Sequence, residues 1–258
     1  MTVSDRNYPD AGPVALSVVV PVYNEVGCVD KVVSDIYDNI INRHGRAELI
    51  VVDDGSSDGT GQVLDAISGR YPALKVIHQE NKGHGPAVLT GYRHASGEWV
   101  FQTDSDDQFV VPEFWKLWEG KEGAELVLGV RAERKDAFVR LVVTRVLRAM
   151  VYLICGGDIP DVNIPFRLFR RDVFERCIVP HIPDDALIPN VMMSVLFRKG
   201  KFAVRSYPIT HKERVTGEAK LSLMKLARFC VKSTFQLLSI LGSGKKGENN
   251  GEKIHTEP

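Results

Sequence analysis

The sequence contains few cysteines and no apolar run long enough to cross a membrane. Its four cysteines (Cys28, Cys155, Cys177 and Cys230) lie far apart and form no C-x-x-C pair, so we expect reduced thiols and no zinc site. The longest stretch without a charged side chain covers residues 11–24, whereas a spanning helix needs about 20 apolar residues. The first residues also lack the apolar core of a signal peptide. The expected location is therefore the cytoplasm.

The chain also lacks an excess of charge of either sign. Its 33 Lys and Arg residues balance 33 Asp and Glu residues, which argues against a nucleic acid as the partner. The 258 residues are 44% hydrophobic and 26% charged, as in soluble globular proteins. This length suffices for one large domain or two small ones.

Short apolar runs alternate with longer segments of helical periodicity in the first half of the chain. Strands are predicted at 16–22, 49–53, 74–78, 99–103 and 125–130, and helices at 26–42, 58–68, 86–95 and 112–119. Strands separated by helices predict an α/β fold with a mostly parallel central sheet flanked by helices. A helix at 137–154, a strand at 166–169, a helix at 187–199 and a strand at 202–207 are predicted to follow.

Acidic clusters follow two of the predicted strands. One runs from Asp53 to Thr60, and the other from Asp104 to Gln108. Ordinary turns favour the same residue types, but two clusters at equivalent strand ends favour a binding site, because ligands bind at the carboxyl ends of parallel strands. The spacing of Asp104 and Asp106 suits a hard divalent cation such as Mg²⁺ or Mn²⁺.

A glycine-containing segment at 81–87 opens a predicted helix, and its free backbone N–H groups could face a phosphate. Lys82 and Gly85 are its candidate ligand-binding residues, whereas His84 is expected to be a surface or satisfied polar residue and not a ligand. The segment is no dinucleotide fingerprint, because the third glycine is missing. No G-x-x-x-x-G-K-[ST] motif occurs in the chain, which disfavours a P-loop NTPase.

The motifs together resemble a known enzyme family. They are VVVPVYNE at 18–25, VVDDGSSDGT at 51–60, NKGHGPAVLTGYRHASGE at 81–98, TDSDDQF at 103–109, LGVR at 128–131, DVNIPFRLFRRDVF at 161–174 and HKERVTGEAKLS at 211–222. This series resembles the family 2 glycosyltransferases of the GT-A fold, and within them the dolichol-phosphate-mannose-synthase-like branch that uses polyprenyl-phosphate acceptors. The resemblance implies a catalytic domain over 15–220, preceded by a flexible arm at 1–14.

The resemblance also implies a role for each matching residue. Pro21, Tyr23 and Glu25 would border the base and ribose of a UDP- or GDP-sugar donor, and Asp53 would contact the base. Asp104 and Asp106 would hold Mn²⁺ or Mg²⁺, with Gln108 as a further ligand. The other implied site residues are Arg131 facing phosphate, Asp161 near the acceptor, Arg140 and Arg167 as anion contacts, and His211, Arg214 and Lys220 on a segment that closes over the phosphates.

The acceptor is less clearly specified than the donor. A hydroxyl acceptor would need a general base, for which Asp161 is the candidate, whereas a polyprenyl phosphate is already ionised and would need none. Two departures from the family pattern, Ala219 in place of Ser and Pro189-Asn190 where many relatives have Glu, lie in acceptor-side segments. A soluble acceptor, or a degenerate domain that only binds nucleotide, therefore remains an alternative. A nucleotidyltransferase is disfavoured, because Pro21–Glu25 replaces the expected glycine-rich loop.

The segment at 221–242 predicts a basic amphipathic helix, followed by a disordered tail at 243–258. Lys225, Arg228 and Lys232 share one helix face. Such a helix could pack on the domain or lie on an anionic membrane surface, and the sequence leaves both open. Relatives often carry C-terminal membrane spans, so the chain resembles a short form that is peripheral on the cytoplasmic membrane face.

Overall fold

The computed structural model describes residues 13–131, 151–152, 154–156, 159–212 and 223–242. Within them, seven strands form one sheet. The strands are β1 (Leu16–Val22), β2 (Ala47–Asp53), β3 (Leu74–His78), β4 (Trp99–Gln102), β5 (Leu126–Arg131), β6 (Arg167–Arg170) and β7 (Val204–Ile209). The spatial order β3-β2-β1-β4-β6-β5-β7 confirms the predicted α/β fold with a mostly parallel central sheet.

Helices connect most of these strands. The main ones are α1 (Val29–Ile36, prolonged by a π turn over Tyr37–Ile41 and by Asn42–His44), α2 (Thr60–Ser68), α3 (His84–His94), α4 (Phe114–Glu119), α5 (Pro189–Lys199) and α6 (Leu223–Gly242). Most of the helix expected at 137–154 lies outside the described residues. No helix within the described residues combines the length and the apolar content that crossing a membrane requires.

The order of the strands creates a crevice beside β1. That strand pairs in parallel with β2 on one side and with β4 on the other, so the chain reverses its direction of progress across the sheet at this point. The crevice outside the carboxyl ends of such strands is where open α/β sheets bind ligands. β6 is antiparallel to both β4 and β5 and separates the four parallel strands β3, β2, β1 and β4 from β5 and β7.

The central strands are buried along their whole length. Every residue of β1 is buried, and so are six of the seven residues of β2. Continuous runs of valine, isoleucine and leucine are typical of parallel strands covered by helices on both faces. This packing fixes the strand ends, and the loops that follow them start from rigid positions.

Candidate active site

A cavity of about 350 Å³ opens at the carboxyl ends of β1 and β4. Its lining combines the loop after β1, the loop after β4 and the start of α3. The lining residues are Pro21, Val22, Tyr23, Glu25, Asp54, Asn81, Gly83, His84, Ala87, Asp104, Ser105 and Asp106. Five predicted site residues, Pro21, Tyr23, Glu25, Asp104 and Asp106, are thus brought together.

The three carboxylates after β4 have different surroundings. Asp104 and Asp106 line the cavity, whereas Asp107 pairs with Lys31 and lies 3.7 Å from the Lys212 Nζ atom. The Oδ1 atom of Asp104 is buried and has no hydrogen-bond partner within the described part of the chain. Burial raises the pKa of Asp104, and the nearby His84 only partly offsets this rise.

Such a buried, unpartnered carboxylate oxygen fits a cation that completes the site. Within the described residues, no group of three or more His, Cys, Asp or Glu side chains forms a metal site by itself. The remaining ligands would therefore come from water or from a phosphate-bearing donor, as is usual for Mg²⁺ sites. The side chain of Gln108 donates to the carbonyl oxygen of Lys212 at 3.0 Å, and its role as a further ligand stays a prediction.

The two adjacent aspartates at the end of β2 make different contacts. Asp53, the expected base contact, does not line the cavity. Its carboxylate accepts a bond from the Ser56 backbone N–H at 3.0 Å and pairs with His78 Nδ1 at 2.9 Å. Asp54 lines the cavity instead, and accepts bonds from the backbone N–H groups of Lys82 and Gly83 at 2.9 and 2.8 Å. Asp54 is therefore the carboxylate that lines the cavity, and the role of Asp53 as the base contact stays a prediction.

The start of α3 also contributes His84, its first residue, to the cavity lining. The side chain is 56% exposed, as expected for a surface residue, and its Nε2 atom lies 3.8 Å from Asp104 Oδ1. Lys82 is exposed beside the cavity but does not line it. Gly85 is buried, and a Cβ atom there would lie 2.0 Å from the carbonyl oxygen of Ala186, so only glycine fits.

A cysteine connects the loop after β1 to the loop after β4. The Cys28 thiol lies 3.3 Å from Glu25 Oε2 and 3.3 Å from the carbonyl oxygen of Ser105. Burial, followed by the hydrogen bond and charge of Glu25, raises the pKa of Cys28 to about 12. The thiol therefore stays protonated at neutral pH and acts as a donor between the two loops.

Arg131 and Asp161 form a close ion pair. Arg131 Nε and Nη2 donate to the two carboxylate oxygens of Asp161 at 2.7 and 2.6 Å, which is the bidentate geometry that makes such pairs strong. Both side chains are largely buried. Of the three residues predicted to be catalytic, Arg131 and Asp161 are therefore bound to each other and do not line the cavity, whereas Asp106 does.

Arg167 does not lie where an anion contact requires it. The side chain is fully buried. It donates to the carbonyl oxygens of Ile164 at 2.7 Å, Val162 at 3.2 Å and Asn190 at 2.8 Å. All of these acceptors are protein atoms, so Arg167 connects the turn after Asp161 to helix α5 instead of facing a ligand.

Four predicted residues remain, of which the structure describes only His211. His211 forms a bridge with Phe109 and stacks edge-on against its ring at 5.2 Å, next to the loop that carries Asp106. Arg140, Arg214 and Lys220 lie outside the described residues, and their roles stay predictions.

Comparison with known proteins agrees with the architecture of this site. The family described as glycosyl transferase family 2 matches residues 17–178. The chain belongs to glycosyltransferase family 2. It is 30% identical over 248 residues to an undecaprenyl-phosphate 4-deoxy-4-formamido-L-arabinose transferase of Yersinia enterocolitica, covering 88% of this chain and 71% of the relative. The Serratia proteamaculans transferase of the same name is 29% identical, with the same coverage.

Solved structures share the fold of this family 2 glycosyltransferase. A glucosyl-3-phosphoglycerate synthase from Mycobacterium tuberculosis, in complex with Mn²⁺, UDP-glucose and phosphoglyceric acid, has a TM-score of 0.62 at 23% identity, covering 90% of this chain and 81% of that one. A mannosyl-3-phosphoglycerate synthase from Rubrobacter xylanophilus has a TM-score of 0.62 at 17% identity, covering 94% and 79%. These likenesses confirm the GT-A fold.

Proposed function

We propose that this glycosyltransferase moves a sugar from a nucleotide-sugar donor to a polyprenyl phosphate, with a divalent cation and with inversion at the anomeric carbon. The observation that carries the proposal is the pair of cavity carboxylates, Asp104 and Asp106, one of which has a buried oxygen without a partner. The acceptor class rests on the relatives, which are named as undecaprenyl-phosphate transferases.

The donor side follows from the chemistry of the leaving group. Charge develops on the departing nucleoside diphosphate, and a Mn²⁺ or Mg²⁺ ion held by Asp104 and Asp106 would stabilise it as a Lewis acid. The cavity would bind the nucleoside. Asp54 would help to orient it, because its carboxylate holds the loop at 81–83, which forms part of the cavity wall, in place. A UDP-sugar is supported by the fold neighbour that binds Mn²⁺ with UDP-glucose.

The acceptor side needs no general base if the acceptor is a phosphate. Its oxygen is already ionised at neutral pH and attacks the anomeric carbon directly, so that a single displacement inverts the configuration. Asp161 then orients the Arg131 guanidinium instead of removing a proton. A lipid acceptor would also bring the enzyme to the cytoplasmic face of the membrane as a peripheral protein.

Product analysis tests this proposal. The full chain is incubated with Mn²⁺ or Mg²⁺, a panel of UDP- and GDP-sugars, and either undecaprenyl or dolichyl phosphate or soluble acceptors such as a saccharide or phosphoglyceric acid. We expect a glycolipid from one donor, no product with EDTA and no product from the Asp106→Ala variant. Glycosylation of a soluble acceptor alone would contradict the lipid-phosphate assignment. Absence of metal-dependent nucleotide binding in calorimetry would contradict the proposed transfer from a nucleotide-sugar donor.

The role of Asp161 separates the two acceptor classes. With a phosphate acceptor, we expect Asp161→Asn to lower kcat by less than about tenfold, because only the orientation of Arg131 is weakened. With a hydroxyl acceptor, removal of the base would cost about 10²–10⁴-fold. The measurement is kcat of both proteins with saturating donor, and circular dichroism checks that the variant is folded. A loss in the larger range would favour a hydroxyl acceptor.

A further inference from the structure

Helix α6 is apolar on two opposite sides. Leu237 and Ile240 form an inner apolar strip, which the buried Ser233 extends by one turn, and residues 231, 235 and 238 form an outer apolar strip with i, i+4, i+7 spacing. A helix that packs on a domain through one face normally carries polar residues on the other. The outer strip is therefore not explained by packing on the domain.

The inner strip attaches α6 to the domain. Ser233, Leu237 and Ile240 are buried. Beside them, the side chain of Gln236 accepts a bond from the backbone N–H of Leu187 and donates to the carbonyl oxygen of Asp185, both at 3.0 Å. These contacts fix the rotation of the helix, and with it the direction in which the outer strip points.

The outer strip is open to solvent. The exposed fractions of Val231, Phe235 and Leu238 are 57%, 69% and 46%, and Arg228 is exposed one turn before Lys232 on the same side of the helix. Apolar side chains flanked by basic ones are the composition that binds the surface of an anionic membrane. The sequence from 219 to 247 contains six basic residues and no acidic one, so nothing in this segment opposes that attraction.

We propose that Val231, Phe235 and Leu238 form a membrane-docking strip on the outer face of α6, which inserts into an anionic phospholipid surface while Arg228 contacts lipid phosphates. The proposal rests on the proposed function, because a lipid-phosphate acceptor requires the enzyme to work at such a surface. It answers the alternatives left open by the sequence, since the same helix packs on the domain with one face and docks with the other.

The position of α6 relates the docking strip to the cavity. Lys232 Nζ lies 2.9 Å from the Asp185 carboxylate, and the segment around Asp185 packs on α3 at two points. Asp184 pairs with Arg93, and the Ala186 carbonyl oxygen lies against Gly85 at the start of α3. A membrane bound through α6 would therefore hold the cavity rim, built by the start of α3, at a fixed orientation to the lipid surface.

Vesicle flotation without donor or acceptor tests the strip itself. We compare the full chain, the Phe235→Ser/Leu238→Ser variant and a matched control, Val26→Ser, which removes an exposed apolar side chain outside α6. The full chain and the control are expected to float with vesicles containing phosphatidylglycerol, and less so with phosphatidylcholine alone or at high salt. The double variant should lose about tenfold or more in apparent affinity, because two apolar side chains no longer leave water.

Two results would overturn the docking strip. One is equal flotation of the double variant and the full chain. The other combines two observations: the full chain does not bind vesicles, and light scattering shows it to be a dimer, whereas the double variant is a monomer. The strip would then bind a second copy of the chain. Circular dichroism and thermal melting establish that the double variant is folded.

Transfer assays distinguish failure of the strip from failure of the proposed function. With detergent-dispersed polyprenyl phosphate, the double variant should turn over as fast as the full chain, whereas with the acceptor in vesicles it should be slower. Equal rates in both formats contradict the strip and leave the function intact. Vesicle binding without glycolipid in either format contradicts the function and leaves the strip intact.

Discussion

The two ends of the central sheet hold carboxylates that differ in their hydrogen bonding. At the amino end of β2, Glu48 accepts bonds from Ser17 Oγ at 2.6 Å, from the backbone N–H of Ser96 at 2.8 Å and from Lys75 Nζ at 2.5 Å. At the carboxyl end of β4, Asp104 has a buried oxygen that no donor of the described residues satisfies. Both oxygens of the Glu48 carboxylate are hydrogen-bonded within the described part of the protein, whereas one oxygen of the Asp104 carboxylate is not.

The difference separates a structural carboxylate from a functional one. Burial opposes the ionisation of Glu48, but the bonds from Lys75, Ser17 and Ser96 outweigh it and lower the pKa of Glu48. For Asp104, burial dominates and raises the pKa. Glu48 therefore stabilises the folded chain, whereas ionised Asp104 costs free energy until a cation binds. Stability and activity should respond oppositely to mutation at the two ends.

The largest expected effect is the loss of activity at the carboxyl end. Asp104→Asn removes the charge that holds the cation, and we expect glycosyl transfer to fall by about 10²–10³-fold. The same change removes an unsatisfied buried charge, so the unfolding temperature should stay the same or rise. Initial rates and ligand-free thermal melts measure the two responses. A clear fall in melting temperature would mean that Asp104 is structural, as Glu48 is, and the contrast between the ends would be lost.

At the amino end, the expected effect is on stability. Glu48→Ala leaves Ser17 and Ser96 donors without their acceptor, and we expect the free energy of unfolding to fall by about 3 kcal/mol. Glu48→Gln keeps the shape and some of the bonds, so it should cost less. Urea unfolding measures both changes, and calorimetry of nucleoside diphosphate with Mn²⁺ should give wild-type affinity for the folded variants. A large loss of affinity would mean that the two ends of the sheet are energetically coupled.

The sequence predicted the position of the site because two signals are local. Runs of β-branched residues defined β1 and β3 with the bounds that the structure has, and polar clusters marked the strand ends. The choice between Asp53 and Asp54 was out of reach, because adjacent residues at a strand end point to opposite sides and a shift of one residue exchanges them. The approach of His84 to Asp104 was not predicted, because the helix was predicted to begin at Pro86, two residues too late.

Arg167 shows a second limit of prediction from sequence. The family resemblance implied an anion contact for Arg167, whereas the structure buries it fully, which an arginine tolerates only when its charge and donors are satisfied. The carbonyl groups that satisfy Arg167 come from the turn at 162–164 and from Asn190 on α5. These acceptors are backbone atoms, which carry no residue-specific signal, and only the antiparallel insertion of β6 brings them to Arg167.

The smallest expected effect concerns a paired carboxylate at the carboxyl end. His78 lies between Asp53, 2.9 Å from its Nδ1, and Asp65, 3.1 Å from its Nε2. The hydrogen bond with Asp53 raises the pKa of His78 above the ordinary 6.5. For Asp53, burial opposes ionisation, but bonds from Ser56 and His78 outweigh it and lower the pKa below the ordinary 3.8. The two groups therefore stabilise the fold together only within a window of pH.

The sign follows from which form the folded state prefers. The contribution of His78 is complete below pH 6.5 and is lost as pH rises through its raised folded pKa. The contribution of Asp53 is complete above 3.8 and is lost as pH falls through its lowered folded pKa. We expect stability to decline from mildly acidic to mildly alkaline pH, by less than about 1 kcal/mol because the His78 side chain is 44% exposed and solvent screens it.

Thermal melts of the wild type and of His78→Gln across that range measure the decline. The variant should lack it, and Asp65→Asn should show an intermediate slope, because it removes one of the two carboxylates that stabilise the imidazolium ion. Equal slopes for wild type and His78→Gln would mean that another group sets the pH dependence. If the decline is present in the wild type and absent from His78→Gln, a paired carboxylate stabilises the fold even at the functional end of the sheet. The lack of a hydrogen bond from the described residues to Asp104 Oδ1 is then a property of that position, not of that end.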